Sequence, residues 1–463
     1  MRPALQATLV VSIFVVIWGL TTHGKYSATG DEPHYLMVAE SLRADGDLDL
    51  SNNYTARAGR RFGREDLEAG PHARIDRYGA LLPVHDIGLP ILVLPVYSLA
   101  AGVAALVPES TLRRFRMNTG LLAYSIVSLW MLTICCLGVW LLGLTVSGFL
   151  RGWNAVVLVA GLALSPPILT NSFLVFPEIP AFLVCCLVLW ASFGRGRERQ
   201  WPMILALWAI GVLPWFHRKF ALFGIGLAVV WAWANWSQVK RHAVAWTAAG
   251  VVLVGLPLAA LVAWSVTHWG NPGGALVAVD MPFSWSALRA GLPGLMIDRE
   301  NGLLVWAPIY ALVPVAWWLT RQTTWTLLLP VILLVGPSAA HDQWWGGFSP
   351  AARFLMPLTP CFVLVYAAAA HRAGLRATLV PLAALQAFVS GYGWQHPRAL
   401  WPQGDGHNRV LEALPFLGPR LSQALPSLRT AADGVAVAMA WLTLVAGLNV
   451  VVLLQVARRR RSA

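Results

Sequence analysis

Two adjacent carboxyl groups open the polar region that follows the first apolar segment of the chain. In the stretch "TGDEPHYL", Asp31 and Glu32 precede Pro33. Proline is favoured in the first turn of a helix, so a short amphipathic helix is predicted to begin here. A carboxylate at a helix start is stabilised by the unpaired backbone N–H groups and by the helix dipole. The motif is therefore either a simple helix cap or an ionised acid placed for function.

A third acid, Glu178, lies between two apolar segments and is flanked by Pro177 and Pro180. An acid next to hydrocarbon is costly unless it lines a cavity or has a charged partner. The position of Glu178 therefore favours a functional site over a loop exposed to solvent.

Potential cations interrupt other apolar segments in the same way. His217, Arg218 and Lys219 lie together between two of them, where they require an anion, whether a carboxylate, a lipid headgroup or a substrate phosphate. Further along, two glycines and then Arg353 follow a polar and aromatic group, and this pattern favours an anion-binding turn. That group contains His341, Asp342, Trp344 and Trp345, and another loop, "DREN", begins at Asp298.

The composition is that of a helical membrane protein. Of 463 residues, 57% are hydrophobic, 24 are Trp, and the mean hydropathy is +0.61. Apolar stretches of about 18 residues or more match the helical length that crosses about 30 Å of hydrocarbon, and they lack the alternation of barrel strands. The net charge of +13 comes from basic residues dispersed in short loops. Such residues indicate topology and lipid contact, and nucleic acid is not an expected partner.

The apolar segments predict a single integral membrane domain, residues 1–463, without a separate soluble domain. The longest polar stretch, 24–85, is the expected first outer loop, with juxtamembrane helices and the acid motif. Shorter polar stretches are 269–301 and 394–432. The apolar segments are 5–22, 86–107, 119–147, 154–175, 179–194, 201–216, 219–236, 243–267, 302–319, 324–340, 354–370, 376–393 and 433–457.

Charge asymmetry predicts the topology. The basic clusters near 195–199, 240–241, 372–376 and 458–461 are expected to be cytoplasmic. With the N-terminus also inside, one early segment does not cross, and the segment 86–107, with Asp86, Pro90 and Pro95, is the expected non-spanning or re-entrant one. The prediction is about 12 transmembrane helices, within a range of 11 to 13. Eleven of the 21 acids then lie between Asp31 and Asp86, on or beside the outer face.

These motifs resemble those of the GT-C membrane glycosyltransferases. The stretches "GDEPHYL…DGDLDLSNNY", "FPEIPA", "DRENGLLVWAPIY" and "WWGGFSPAARFLMPLTP" are similar to bacterial relatives of the protein mannosyltransferase and aminoarabinose transferase group, glycosyltransferase family 39. The likeness follows most of the chain as a succession of spans and short motifs. It departs from better-known members in having Glu178 in place of an aspartate motif and no C-terminal soluble domain.

The resemblance implies a reaction and assigns residues to it. The reaction is an inverting transfer of a sugar from a polyprenyl-phosphate donor to an acceptor hydroxyl. Asp31 is the expected general base, and Glu32 and Glu178 are expected supporting acids. Arg353, Lys219, Arg218 and His341 are the expected ligands of the donor phosphate. The expected substrate contacts are His34, Tyr35, His217, Asp298, Asp342, Trp344 and Trp345.

The resemblance also bears on cofactor and location. A metal-independent reaction is expected, with Mg²⁺ or Mn²⁺ between Asp31 and Glu178 as the alternative. The expected location is the bacterial cytoplasmic (inner) membrane, multi-pass, with the active site facing the periplasm. The acceptor, whether lipid, glycan or protein, and the sugar stay open. The competing class is a transporter or flippase of a lipid-linked or anionic amphipathic substrate, which would place acids near the bilayer midplane.

Overall fold

The computed structural model describes residues 2–23, 28–65, 67–275, 284–416, 418–429 and 434–461. Within these ranges the chain is helical almost throughout, and its one sheet has two short strands. The all-helical fold predicted from the apolar segments is confirmed. It follows from the need of each apolar segment to satisfy its backbone hydrogen bonds internally.

Six of the described helices are long and apolar enough to cross a membrane. At 1.5 Å per residue, about 20 residues span the hydrocarbon core. The six are Pro3–Thr21, Gly88–Leu106, Thr119–Val146, Ala243–Trp269, Pro308–Ala339 and Gly434–Arg458. Gly88–Leu106 forms one 19-residue helix with Pro95 inside it, so its length suits a crossing. The re-entrant path of this segment and the count of 12 spans stay predictions.

Shorter apolar helices make up the rest of the bundle. They are Trp153–Ala163, Glu178–Phe193, Gln200–Phe216, Phe220–Ala234 and Arg353–Ala369. The segment 154–175 was predicted as one span, but it is not one continuous helix. The first helix ends at Ala163, and a new one runs from Ile168 to Asn171. The cause is the pair Pro166 and Pro167, which lack backbone N–H donors and clash with a preceding helical turn.

The remaining helices are short, except for Ala373–Gln395, which has 23 residues. Two of the long helices are composite. Ala243–Trp269 contains a π-helical turn at Val251–Gly255, and Pro308–Ala339 contains 3₁₀ turns at Pro308–Leu312 and Trp325–Leu327. The others are Glu109–Arg114, Arg195–Glu198 (3₁₀), Trp236–Arg241, Trp285–Ile297, Leu303–Trp306, Ala373–Gln395, Pro397–Leu400 (3₁₀), Arg409–Glu412 and Gly418–Ala424.

The outer faces of the long helices are apolar. Along the Ala243–Trp269 helix, Val244 is 86% exposed and Val251 60%, and Leu256 is also exposed. Contiguous apolar surface of this kind is rare on proteins that face water on all sides. The exposed faces agree with contact to lipid, as expected of a helical membrane protein.

The polar stretch predicted as the first outer loop is folded in its described residues, 28–65 and 67–85. It contains helices Glu32–Ala44 and Ser51–Thr55, a 3₁₀ turn at Ala58–Phe62, and a hairpin whose strands are Ala73–Ile75 and Leu81–Pro83. The strands are antiparallel, with Ala73 opposite Pro83. The helices were predicted, and the hairpin was not.

The core packs this loop against the bundle. The Thr119–Val146 helix lies against both Glu178–Phe193 and Gly88–Leu106, and Glu32–Ala44 packs on Gly88–Leu106. Tyr35 and Leu36, near the start of the Glu32–Ala44 helix, are fully buried. The start of this helix is therefore fixed relative to the start of the Glu178–Phe193 helix.

Candidate active site

Four charged residues form a row of alternating sign. Arg353 Nη1 lies 3.8 Å from Asp31 Oδ2, and Arg353 Nε lies 3.6 Å from Glu178 Oε1. The same Glu178 oxygen accepts a hydrogen bond from Lys219 Nζ at 2.5 Å. Four distant parts of the chain thus converge on one cluster, which we call the charge row: Asp31, Arg353, Glu178 and Lys219.

Each member of the charge row lies at the start of a helical element. Asp31 precedes Glu32–Ala44, Glu178 opens Glu178–Phe193, Lys219 precedes Phe220–Ala234, and Arg353 opens the 3₁₀ turn Arg353–Leu358. Unpaired N–H groups at helix starts add positive potential. The two acids of the row are therefore in a favourable setting, and so is an anion that approaches it.

Asp31 occupies the cap position without acting as a cap. Its side chain makes no capping hydrogen bond, and its Oδ1 lies 3.8 Å from His72 Nδ1 and 3.8 Å from His85 Nε2. The side chain is 27% exposed, whereas Glu178 is 1% exposed. Among the acids of the charge row, Asp31 is therefore the one that a substrate can reach.

The charges around Asp31 keep it ionised. Burial raises the pKa of Asp31, but His85, Arg353, His72 and His34 outweigh it and leave the pKa below its ordinary value. Burial lowers the pKa of His72 to about 4 and of His34 to about 3. Burial also lowers the pKa of His85. Since all three rings are neutral at pH 7, Arg353 is the cation that holds Asp31 in its ionised form.

Glu32 holds the helix start in place. Its side chain is fully buried and accepts hydrogen bonds from the backbone N–H groups of Thr29 and Val175 and from the hydroxyl of Tyr124. Burial raises the pKa of Glu32 to about 7, against the effect of these bonds. Glu32 therefore connects the Asp31 turn to the loop before Glu178, which is a positioning role.

The two cations of the charge row are held between aromatic rings. Arg353 Cζ lies 4.1 Å from the Phe176 ring centre, and Lys219 Nζ lies 3.9 Å from the Phe354 ring centre. Among the described residues Arg353 makes ion-pair contacts but no hydrogen bond, and Glu178 Oε2 is buried without a hydrogen-bond partner. A buried guanidinium and carboxylate with unused bonding capacity are ready to take polar groups of a ligand.

The turn before Arg353, predicted to bind an anion, uses one of its backbone N–H groups internally. Gly346 and Gly347 adopt φ of +91° and +66°, and Ala352 adopts +57°. The N–H of Gly346 donates to Gln343 O, within the turn itself. The glycines therefore shape the turn, and the guanidinium of Arg353 supplies the positive charge.

His72 and His85 were not among the predicted site residues. His72 precedes the first hairpin strand and His85 follows the second. The N–H of Val84 donates to His72 O, so the end of the hairpin brings His85 next to His72. His72 Nδ1 and His85 Nε2 are 3.2 Å apart. Twelve residues separate the two histidines, so only the hairpin reveals that they are neighbours.

Several predicted substrate contacts lie close to this cluster. His34 stacks on His72 with ring centres 3.7 Å apart and bonds to the Tyr54 hydroxyl at 2.7 Å. The Tyr35 ring centre is 5.3 Å from that of His85. These rings line a narrow cleft whose walls are His34, Tyr35, Val38, Leu50, His72, Pro83, His85 and Pro90.

His217 and His341 lie on the Lys219 side of the site. His217 Nδ1 accepts the backbone N–H of Lys219, and its ring centre is 6.5 Å from that of His85. His341 Nδ1 accepts the backbone N–H of Gln343. Burial and the Lys219 charge lower the pKa of both histidines, so both are neutral rings near the charge row.

Arg218, a predicted phosphate ligand, is engaged elsewhere. Its Nε and backbone N–H both donate to Asp86, and its other nitrogens donate to Ser265 Oγ and Pro272 O. The guanidinium therefore joins the turn after the Gln200–Phe216 helix to Asp86 and to the Leu256–Trp269 helix end. This role is structural.

The last four predicted contacts are also placed by the structure. Asp298 is 1% exposed and accepts the N–H groups of Glu300, Asn301 and Leu428. Asp342 is exposed and accepts a bond from Ser284. Trp344 is buried against Gly294, and Trp345 packs under Arg429. Nothing in these contacts joins the four to the charge row.

Among the described residues, one group has the composition and spacing of a metal site. It consists of Asp31, His72 and His85, whose ligand atoms all lie within 4.8 Å of one another. Glu178, the partner of Asp31 in the predicted Mg²⁺ or Mn²⁺ site, is instead bonded to Lys219. The histidines, rather than Glu178, are thus placed to share a cation with Asp31.

Comparisons with known proteins do not add to this geometry. Protein-family models, characterised proteins and solved structures gave no match to the chain. The chemistry proposed for the site rests on its own residues.

Proposed function

We propose that the protein is a membrane glycosyltransferase that moves a sugar from a polyprenyl-phosphate donor to an acceptor hydroxyl. The observation that supports this most is the reachable Asp31 carboxylate, 3.8 Å from a buried arginine that makes no hydrogen bond among the described residues. The reaction requires a base for the acceptor hydroxyl and, next to it, a cation for the phosphate leaving group.

In the proposed reaction, Asp31 accepts the proton of the acceptor hydroxyl as its oxygen attacks the anomeric carbon. The bond between that carbon and the phosphate oxygen breaks, and its electron pair leaves with the polyprenyl phosphate. Arg353 and Lys219 stabilise the charge on the departing phosphate. The anomeric configuration inverts because a single displacement occurs.

The supporting acids act through position. Glu178 keeps Lys219 and Arg353 together, and Glu32 fixes the turn that carries Asp31. A donor with a polyprenyl chain fits a site framed by apolar helices, because its lipid stays in the bilayer while the sugar phosphate reaches the charges. We place the protein in the bacterial cytoplasmic membrane, with this site on the outer face.

The test uses purified protein in lipid vesicles with a panel of radiolabelled polyprenyl-phosphate sugars. We expect time-dependent release of free polyprenyl phosphate that requires an acceptor extract containing lipid, glycan and protein fractions. A flippase would instead move the intact donor between leaflets without release. Transbilayer movement with no release in any fraction would overturn the proposal in favour of transport.

A further inference from the structure

The ligand atoms of Asp31, His72 and His85 surround a point suited to a metal ion. His72 Nδ1 and His85 Nε2 are 3.2 Å apart, and each lies 3.8 Å from Asp31 Oδ1. Three atoms at these separations are equidistant from a point about 2.1 Å from each, which is the usual length of zinc–nitrogen and zinc–oxygen bonds. The three ligand atoms are thus spaced as a single bound ion would require.

We propose that Asp31, His72 and His85 form a binding site for a divalent transition-metal ion of the zinc class. Two imidazoles and one carboxylate are ligands that zinc and neighbouring transition metals accept, whereas Mg²⁺ and Ca²⁺ favour all-oxygen sites. Three protein ligands leave a fourth position open, as in metal sites that bind water or substrate.

The surrounding residues hold the two imidazoles in position. The backbone bond from Val84 to His72 fixes the base of the hairpin, so His72 and His85 approach each other from its two strands. His34 stacks on His72 and is itself anchored by the Tyr54 hydroxyl. Ligands that are oriented before binding lose little conformational freedom when the ion arrives.

Charge also favours a cation at this point. Asp31 contributes a carboxylate oxygen, Oδ1, that faces the two imidazoles, while its Oδ2 faces Arg353. A metal ion on Oδ1 would leave Oδ2 beside the arginine. A hydroxyl bound at the open position would be acidified by the ion. The site binds metal whichever reaction the protein performs, so the inference does not depend on the proposed glycosyl transfer.

The experiment measures metal binding directly. Purified protein is treated with a chelator, dialysed against Zn²⁺ or Co²⁺, and analysed by elemental mass spectrometry. We expect about one equivalent in the wild type and a loss of affinity of more than about 100-fold in His72→Gln and in His85→Gln, because loss of an outer partner alone costs about 10–100-fold.

His268→Gln is the matched control. His268 pairs with Asp76 at 2.6 Å near the same hairpin, but this pair is not part of a three-ligand group among the described residues. The control is expected to bind metal as the wild type does. Wild-type protein that binds less than about a tenth of an equivalent, or variants that bind as the wild type does, would overturn the proposal.

A second measurement uses only the wild type, in case the variants fold poorly. Diethylpyrocarbonate modifies neutral imidazoles that have a free nitrogen, and mass spectrometry locates the modified residues. Zn²⁺ is expected to protect His72 and His85 but not His268. Equal modification with and without Zn²⁺ would refute the site. Metal binding without sugar transfer would support the metal site and count against the proposed function. Sugar transfer without metal binding would support the proposed function and refute the metal site.

Discussion

The buried pair of Glu178 and Lys219 allows a quantitative prediction. The Glu178 side chain is 1% exposed and Lys219 15%, and Arg353 is the second cation on the same carboxylate. Glu178→Gln keeps the shape but removes the negative charge, which leaves Lys219 without its carboxylate partner and Arg353 with Asp31 alone. Breaking a buried pair in this way costs about 3–5 kcal/mol, or roughly a 100- to several-thousand-fold change in the unfolding equilibrium.

The assay is equilibrium unfolding of the purified protein in mixed detergent and SDS micelles. A double variant, Glu178→Gln with Lys219→Met, also removes the cation that the first change leaves without its partner. It should therefore lose less stability than the sum of the two single changes, with a coupling of about 0.5–3 kcal/mol. Asp405→Asn is the control, since Asp405 and Arg409 form a close but half-exposed pair, and its loss should stay within about 1 kcal/mol.

Anion binding provides an independent readout of the same change. If Lys219 and Arg353 receive a phosphate, polyprenyl phosphate should restore more stability to Glu178→Gln than it adds to the wild type. A loss below about 1 kcal/mol in Glu178→Gln would show that the pair behaves as an exposed one. Additive single and double variants, or no preferential rescue, would likewise refute the reasoning.

Two further predictions concern Gly30, next to Asp31, and Asp298, outside the charge row. Gly30 has φ of +54°, and in Gly30→Ala the added Cβ would lie 2.8 Å from Phe348 O, so we expect at least about 1–2 kcal/mol of destabilisation and slower sugar transfer because Asp31 is displaced. The control is Gly46→Ala, at φ +76° in open space, which should leave the transfer rate unchanged. Equal transfer rates in the two variants would contradict this prediction. Asp298→Asn should lower stability by about 1–3 kcal/mol in the same unfolding assay, because Asp298 Oδ2 accepts the N–H of Leu428. The affinity for the donor should stay unchanged. A rise in the KM for the donor without a loss of stability would instead show that Asp298 contacts the substrate.

Much of the fold could be predicted from hydropathy alone. Long apolar segments had to form helices, since an unpaired backbone in lipid costs several kcal/mol per group. There are two exceptions. The segments 302–319 and 324–340, predicted separately, lie largely within one helix, Pro308–Ala339. The segment 154–175 contains two consecutive prolines whose effect on a helix is local and was visible in the sequence. The hydropathy profile does not register this, because proline interrupts a helix without making the segment polar.

The site was predictable where a charge lay next to apolar sequence. Asp31, Glu178, Lys219 and Arg353 each stand out for this reason, and the structure brings them into one row. Their burial explains the signal, because an isolated charge in such surroundings requires a partner.

Other partners depended on long-range contacts that no local pattern encodes. Arg218 has the same sequence context as Lys219, yet it pairs with Asp86, 132 positions away. His72 and His85 gave no signal because their meeting depends on a short hairpin with little alternation of apolar and polar residues. Residue type and spacing thus identified charged candidates, while the choice of partner came from packing.

The central claim is that Asp31 is the base of a sugar transfer, and one measurement tests it most directly. The rate of polyprenyl phosphate release is compared between Asp31→Asn and Asp45→Asn, an exposed acid of the same loop. Loss of a general base predicts a fall of about 10²–10⁴-fold in the first variant and an unchanged rate in the second. Equal release by Asp31→Asn and the wild type would contradict the claim.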